Sequence, residues 1–308
     1  MEIDRRSFLK LSAASIAGAA VLVSPTPALA SSGNESQANT NGKGMLVDTT
    51  KCVGCRACVV ACKQWNHNPS SPVDDEPKTH NDTPLLDSKT FTNIRATDVQ
   101  QGLEPKWVYT KIQCMHCQKP GCAEACLVGA LKKTETGPVT YNESKCIGCR
   151  YCMVACPFGI PTYQWESVTP WIRKCTFCAN RQAQGLQPAC SGTCPTGALK
   201  FANRSELIDE AKQRIADEPQ LYINHIYGET EVGGTSWLYL ASVPFEKLGL
   251  PNVQTEPVVV NAERAMGLVP PVLLGMAALM TGTYLVTKRR KKLQAKTSKK
   301  DEQGAKTK

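Results

Sequence analysis

All sixteen cysteines of this 308-residue chain fall into four groups of four, at spacings that suit iron–sulfur ligation. The first group reads Cys52-Val53-Gly54-Cys55-Arg56-Ala57-Cys58-Val59-Val60-Ala61-Cys62, a C-x2-C-x2-C-x3-C run. Three thiolates on one tight loop can cap three irons of a cubane, while the fourth, on the helix leaving the loop, points toward a neighbouring cluster. One such run therefore requires a partner run. The second group is Cys114-x2-Cys117-x4-Cys122-x3-Cys126, and the third is Cys146-x2-Cys149-x2-Cys152-x3-Cys156. The fourth is Cys175-x2-Cys178-x11-Cys190-x3-Cys194. The ligand pattern is thus an internal repeat with variable spacers.

The same count also fits zinc sites or disulfides. Four-cysteine zinc sites usually come as two C-x2-C knuckles separated by a longer loop. Triplets followed by a fourth cysteine suit a cubane better. Pro157 and Pro195 directly follow fourth cysteines, as in cluster-binding runs, whereas Lys63 and Leu127 stand in that place in the other two groups. Disulfides are the strongest rival in an exported chain, but three cysteines within seven residues make a poor framework for long-range staples.

The swap of fourth cysteines gives a wiring. Groups two and three lie close in sequence and pair. Cys114, Cys117 and Cys122 then take Cys156, and Cys146, Cys149 and Cys152 take Cys126. Groups one and four pair by elimination, so Cys52, Cys55 and Cys58 take Cys194, and Cys175, Cys178 and Cys190 take Cys62. The fold class expected is α+β: two interleaved ferredoxin-like units, 45–62 with 175–201 and 114–160, within a body spanning 45–252.

Around these loops the sequence predicts a short strand at Met45–Asp48 and two alternating runs, Phe91–Arg95 and Trp107–Ile112, that can pair. It also predicts strands at Pro138–Tyr141 and within Gly233–Leu240, and an extended segment over Val243–Asn252. Ser205–Ala216 reads as an amphipathic helix with Leu207, Ile208, Ala211 and Ile215 on one face. The segment after Cys62, rich in Pro, Asn, Asp and Ser, reads as loop. No catalytic constellation stands out among the scattered His67, His80, His116 and His225. His116, inside C-M-H-C, is open to two readings: tuning the adjacent cluster by hydrogen bond or charge, or packing. Arg56, Arg150, Arg173 and Lys174 flank ligands, and they either raise cluster potentials or solvate a surface.

The formal charge of +9 belongs to the ends: residues 1–30 carry a net +1 and residues 288–308 a net +8. The neutral body between them offers no footprint for nucleic acid. The start reads Asp4-Arg5-Arg6-Ser7-Phe8-Leu9-Lys10, then an Ala-rich apolar run and Ala28-Leu29-Ala30. This predicts a removable signal over 1–30 of twin-arginine type, with Asp4 in place of the commoner Ser or Thr, followed by a polar linker over 31–44. That route exports folded proteins with cofactors already inserted. After a linker at 253–264, Ala265–Thr287 runs 23 residues without a charge, enough to cross a hydrocarbon core about 30 Å thick. Pro270 and Pro271 lie in its first third, where they kink the helix or mark its start. Lys288-Arg289-Arg290-Lys291-Lys292 follows, predicting a cytoplasmic tail (288–308) and an extracytoplasmic, periplasmic body.

The stretches D-T-T-K-C-V-G-C-R-A-C-V-V-A-C-K-Q-W-N, C-M-H-C, C-I-G-C-R-Y-C-M-V-A-C-P-F and P-A-C-S-G-T-C-P-T-G-A-L resemble the four-cluster iron–sulfur subunits of membrane-bound respiratory oxidoreductases. The resemblance runs from about residue 44 to 252 and is closest to the beta subunits of formate dehydrogenases and nickel–iron hydrogenases. G-E-T-E-V-G-G-T-S-W-L-Y-L and the single helix after it also match. Some relatives replace one cysteine of the third group and hold a three-iron cluster; this chain keeps all four. The resemblance implies four [4Fe–4S] clusters and a non-catalytic electron conduit. It implies a catalytic partner, either a molybdopterin formate dehydrogenase alpha subunit or a nickel–iron hydrogenase large subunit. It further implies a membrane cytochrome b or quinone-reactive subunit. Electron delivery to a molybdopterin terminal reductase, and a zinc-binding or structural module, are the alternatives.

Overall fold

A computed structural model describes residues 42–69, 86–101 and 104–305. The expected signal segment, the linker through residue 41 and the loop over 70–85 lie outside the described residues.

Strand β1 (Lys43–Asp48) enters first, and every residue of it after Lys43 is buried. The first cysteine loop follows, then helix α1 (Ala57–Trp65). Strands β2 (Thr92–Gln101) and β3 (Glu104–Gln113) pair antiparallel from Thr92↔Gln113 to Gln101↔Glu104. This is the pairing that the two alternating runs predict, carried further at its outer end. The second cysteine group leads through a turn of helix, α2 (Gly121–Glu124), to a hairpin of β4 (Leu131–Lys133) and β5 (Val139–Tyr141). The third repeats the plan with α3 (Tyr151–Val154), β6 (Thr162–Tyr163) and β7 (Ile172–Arg173). The fourth lies on α4 (Ala179–Gln182) and α5 (Ala189–Gly192) and runs into β8 (Leu199–Asn203). Helix α6 (Arg204–Asp217), strand β9 (Trp237–Leu240) and the long helix α7 (Val259–Ala305) complete the order.

β1 is the middle strand of a three-stranded sheet, antiparallel to β8 and parallel to β9. Because side chains alternate along a strand, its two faces serve different layers. Leu46, Leu238 and Leu240 pack against Leu207 and Ala211 of α6. Met45, Val47, Trp237 and Tyr239 face a second cluster that contains Phe177, Cys58 and Cys190. The sheet thus carries a helix on one side and cysteines on the other. Leu207 and Ala211 are fully buried, and Ile208 and Ile215 partly so, the face that the helical spacing predicts.

Three fourth cysteines end in the same turn. Gly129, Gly159 and Gly197 follow Cys126, Cys156 and Cys194 at the third position, all with positive φ, and place Ala130, Ile160 and Ala198 in the interior. A left-handed residue there costs least as glycine. Cys62 departs from this turn, because α1 continues past it to Trp65.

Helix α7 begins ahead of the uncharged stretch and runs past it, with Pro270 and Pro271 inside. Over Glu263–Lys296 it is long and apolar enough to cross a membrane, and its apolar window is not buried by the rest of the protein. Leu273, Leu274, Leu279 and Met280 are exposed along it.

Asp48 closes β1 and opens the first cysteine loop. Its Oδ1 accepts from the Thr50 amide at 3.1 Å and hydroxyl at 2.6 Å, and its Oδ2 from Arg214 Nη1 and the Tyr222 hydroxyl, each at 2.8 Å. Asp48→Ala removes all four acceptor contacts, with Glu210 remaining as a partner of Arg214 at 2.6 Å. The expected cost is roughly 1.5–3 kcal/mol, the range for hydrogen bonds to a charged group. It is read as a lower midpoint for thermal bleaching of the visible absorbance, with Leu207→Val as a milder core comparison.

Candidate metal centres

The sixteen cysteines are all free thiols, and only Cys55 and Cys149 are exposed. Cys52, Cys55, Cys58 and Cys194 line one small cavity, which Lys111 also lines. Cys62, Cys175, Cys178 and Cys190 line a second, with Lys111 and Trp237. Electrostatic influence sorts the remaining cysteines. Burial raises the Cys117 thiol well above its usual range, reinforced by Cys114, Cys156 and Cys122. Burial pushes Cys152 up to about 11, reinforced by Cys126, Cys146 and Cys149. Cys117 thus has Cys114, Cys122 and Cys156 as its cysteine neighbours, and Cys152 has Cys126, Cys146 and Cys149, while Cys122 and Cys152 share one buried cluster with Cys126 and Cys146.

Cysteines of different groups also act on one another. Cys190 acts on Cys58, Cys114 on Cys175, and Cys152 on Cys122. Cys62, Cys114 and Cys175 share one buried cluster with Phe91 and Ile160.

The loops that present these sulfurs repeat at backbone level. Gly54 and Arg56 have φ of 71° and 58°, and Gly148 and Arg150 have 71° and 63°. C-x-G-C-R therefore folds identically in groups one and three, with an arginine held left-handed at a steric cost. In groups two and four the positive φ falls on His116 and on Phe177 and Cys178. A Cβ on Gly54 would lie 2.6 Å from the Tyr109 ring, so β3 packs directly on the first loop.

Burial without a counter-charge favours the thiol over the thiolate, and coordination to iron is what keeps such sulfurs deprotonated. Among the described residues no three Cys, His, Asp or Glu groups converge closely enough to hold a single metal ion. Four thiols spread around a cavity suit a multi-iron core. The indole Nε1–H of Trp237 is buried without a partner at the wall of the Cys62–Cys175–Cys178–Cys190 cavity. It is a donor of the kind that sulfur ligands accept.

Residues 105–204 match the family described as 4Fe-4S dicluster domain, and residues 43–64 match that described as 4Fe-4S binding domain. A protein of Nitratidesulfovibrio vulgaris is 40% identical over 296 residues, covering 95% of this chain and 79% of that protein. The hydrogenase-2 operon protein HybA of Escherichia coli O157:H7 is 34% identical over 320 residues, covering 94% of this chain and 96% of HybA. The formate dehydrogenase iron–sulfur subunit of Haemophilus influenzae is 39% identical over 214 residues, covering 67% of this chain and 68% of that subunit. The chain belongs to this family of iron–sulfur subunits. It holds more than one [4Fe–4S] cluster.

The surroundings of the subunit's thiols separate the basic residues singled out by sequence. Arg150 lies over Tyr163 and Trp165, 5.4 and 5.1 Å from their centroids, and Arg173 pairs with Glu143. Lys174 is buried, its Nζ donating to the Val139 carbonyl at 2.6 Å and that of Cys175 at 3.2 Å. His116 is fully buried and stacked on Phe177 at 5.1 Å. Its Nδ1 accepts the Val139 amide at 2.9 Å, which leaves the proton on Nε2. Burial, with Lys174 and Lys133 beside it, drives its pKa well below the usual range, so it is neutral and exerts no charge on the centres. His67 lines a cleft that Cys178 also lines, His225 pairs with Glu231, and His80 falls outside the described residues.

Two cations among the cysteines, the buried Lys111 and the half-buried Lys133, are not singled out by the sequence. Lys111 sits inside β3, where an alternating run gives no hint that a lysine points inward. Burial lowers its pKa, but Cys58, Cys190, Cys175 and Cys62 outweigh that and hold it above the usual value. Lys133 Nζ donates to the carbonyls of His116 at 2.9 Å and Gly137 at 2.6 Å and to Ser236 Oγ at 3.1 Å. Burial lowers its pKa to about 8, against the pull of Cys117 and Cys114. Lys133→Met strips these partners beside Cys117, at about 1–3 kcal/mol for each buried acceptor left unpaired. The expected result is faster iron release on mild heating, followed with a colorimetric chelator, and Lys133→Arg is expected to lie between the two.

Proposed function

We propose that the four thiol sets each hold one [4Fe–4S] cluster, and that this electron-transfer subunit joins an extracytoplasmic catalytic subunit to the membrane. Bound clusters supply reversible one-electron transfer. The protein's part is to fix the order of the sites and to bury them. The observation that carries the reading is the succession of neighbours Cys58–Cys190, Cys175–Cys114 and Cys122–Cys152, which strings the four sets in one line. The two exposed cysteines, Cys55 and Cys149, belong to the first and last sets of that line.

The anchor distinguishes the two ends. A Cβ on Gly121 would lie 3.7 Å from Val258 Cβ and 2.9 Å from the Ala155 carbonyl oxygen. Val258 therefore leads into α7 from beside Cys122 and Cys156. The Cys149 end is the membrane end, where Leu127, Ile147, Tyr151 and Val154 are exposed. A cytochrome b or quinone-reactive subunit fits there, and the catalytic subunit fits at Cys55. The basic Lys288–Lys292 run supports a cytoplasmic C-terminus, and the twin arginines support export of the body. The units 45–62 with 175–201 and 114–160 are then two interleaved ferredoxin-like halves.

The end-to-end match with HybA favours a nickel–iron hydrogenase large subunit as partner. The second reading is a formate dehydrogenase alpha subunit, supported by the 39% identity over the shared body. Membranes from a deletion strain are expected to lose hydrogen-dependent quinone reduction and keep the formate-dependent activity. Loss of the formate activity alone selects the second reading, and loss of terminal-acceptor reduction alone selects delivery to a reductase.

The ligand sets have their own test. Cys194→Ser and Cys55→Ser are expected to remove or alter the same low-temperature EPR signal of the dithionite-reduced complex. Cys178→Ser is expected to affect a different one. A shared signal for Cys194→Ser and Cys178→Ser overturns the swap.

A further inference from the structure

Among the described residues, Lys111 is the one side chain that lines both cavities of the first ferredoxin-like half. It is 1% exposed and reaches inward from β3, opposite Ile94 of β2. Its Nζ hydrogen-bonds to the Thr92 hydroxyl and lies 5.2 Å from the centroid of the Trp237 ring. A hydroxyl and an aromatic face orient an ammonium, but neither carries a full negative charge. Among the described residues no carboxylate forms an ion pair with it. A buried lysine is normally paired. The anionic groups within electrostatic range are sulfurs: Cys58 from one set, and Cys190, Cys175 and Cys62 from the other.

We propose that Lys111 is a fixed cation shared by the Cys52–Cys55–Cys58–Cys194 and Cys62–Cys175–Cys178–Cys190 sites, and that it raises the reduction potential of both. The proposal rests on the ligand sets given above. Reduction adds one electron to a site, and a nearby positive charge in a low-dielectric interior stabilises the more negative form. Because one ammonium serves both sites, it moves their potentials together. The other two sites lie beside other cations: Lys133 acts on Cys117 and Lys174 on Cys122. A change at Lys111 is therefore selective for two centres of four.

The test is an EPR-monitored redox titration of the complete membrane-bound complex, with iron content measured alongside. Lys111→Met removes the charge and keeps the length. Lys111→Gln removes the charge and keeps a donor for Thr92, and Lys111→Arg keeps the charge. Both neutral variants are expected to lower two midpoints by about tenfold in the reduced-to-oxidised ratio, 59 mV for one electron. The other two midpoints are expected to stay, and Lys111→Arg to restore the wild-type values. Four loaded centres with no midpoint moved, a uniform shift of all four, or an arginine variant that behaves like methionine overturns the proposal. Neutral variants that fail to load iron while Lys111→Arg loads fully also overturn it, since the charge then serves assembly. Fewer than four centres in the wild-type complex faults the ligand sets instead, independently of Lys111.

Discussion

The structure depends on holding cysteines largely out of water, and the wall lined by Cys52, Cys55, Cys58 and Cys194 combines the two ends of the body. A single C-x2-C-x2-C loop supplies three ligands cheaply, because the loop fixes them. The remaining ligand comes through tertiary contact, and that requirement dictates the architecture. Cys194 reaches the wall lined by Cys52, Cys55 and Cys58 because β8, directly after it, pairs with β1, directly before them. The short antiparallel register from Lys43↔Asn203 to Val47↔Leu199 is what closes the ends of the body on one another.

Burial then creates an electrostatic demand. Thiols such as Cys58, Cys62 and Cys122 lie where a bare negative charge is disfavoured, and the protein answers with lysines drawn inward. Lys111, Lys133 and Lys174 are all largely or wholly buried, and each lies close to different cysteines. Their partners are carbonyls, hydroxyls and an aromatic face, which position an ammonium without neutralising it. The arginines beside the ligands act differently: Arg150 spreads over surface aromatics and Arg173 meets a carboxylate. Of the basic residues that adjoin a ligand in sequence, Lys174 acts on a buried cysteine, whereas Arg150 and Arg173 are engaged at the surface.

The chain keeps its two kinds of surface apart. The body hides its apolar side chains between sheet, helix and cysteine loops, whereas α7 leaves leucines and methionines exposed over a length that suits a bilayer. Exposed apolar residues on the body include Ile147, Tyr151 and Val154 in the third cysteine group, and Val53 and Val60 in the first.

Ligand spacing is local, so the sequence alone determined the sixteen cysteines and their grouping by four. The strand pairing of Thr92–Gln113 and the α6 face of Leu207 and Ala211 were legible for the same reason, since alternation and helical period are properties of adjacent residues. The uncharged run ending at Thr287 was equally plain. Tertiary structure decided which basic groups lie among the sulfurs. Nothing in W-V-Y-T-K-I says that Lys111 faces two cavities, because that depends on β3 packing against a loop 50 residues earlier and a strand more than 100 residues later. It also decided that His116 is neutral, since burial beside two lysines, rather than its place in C-M-H-C, sets its proton.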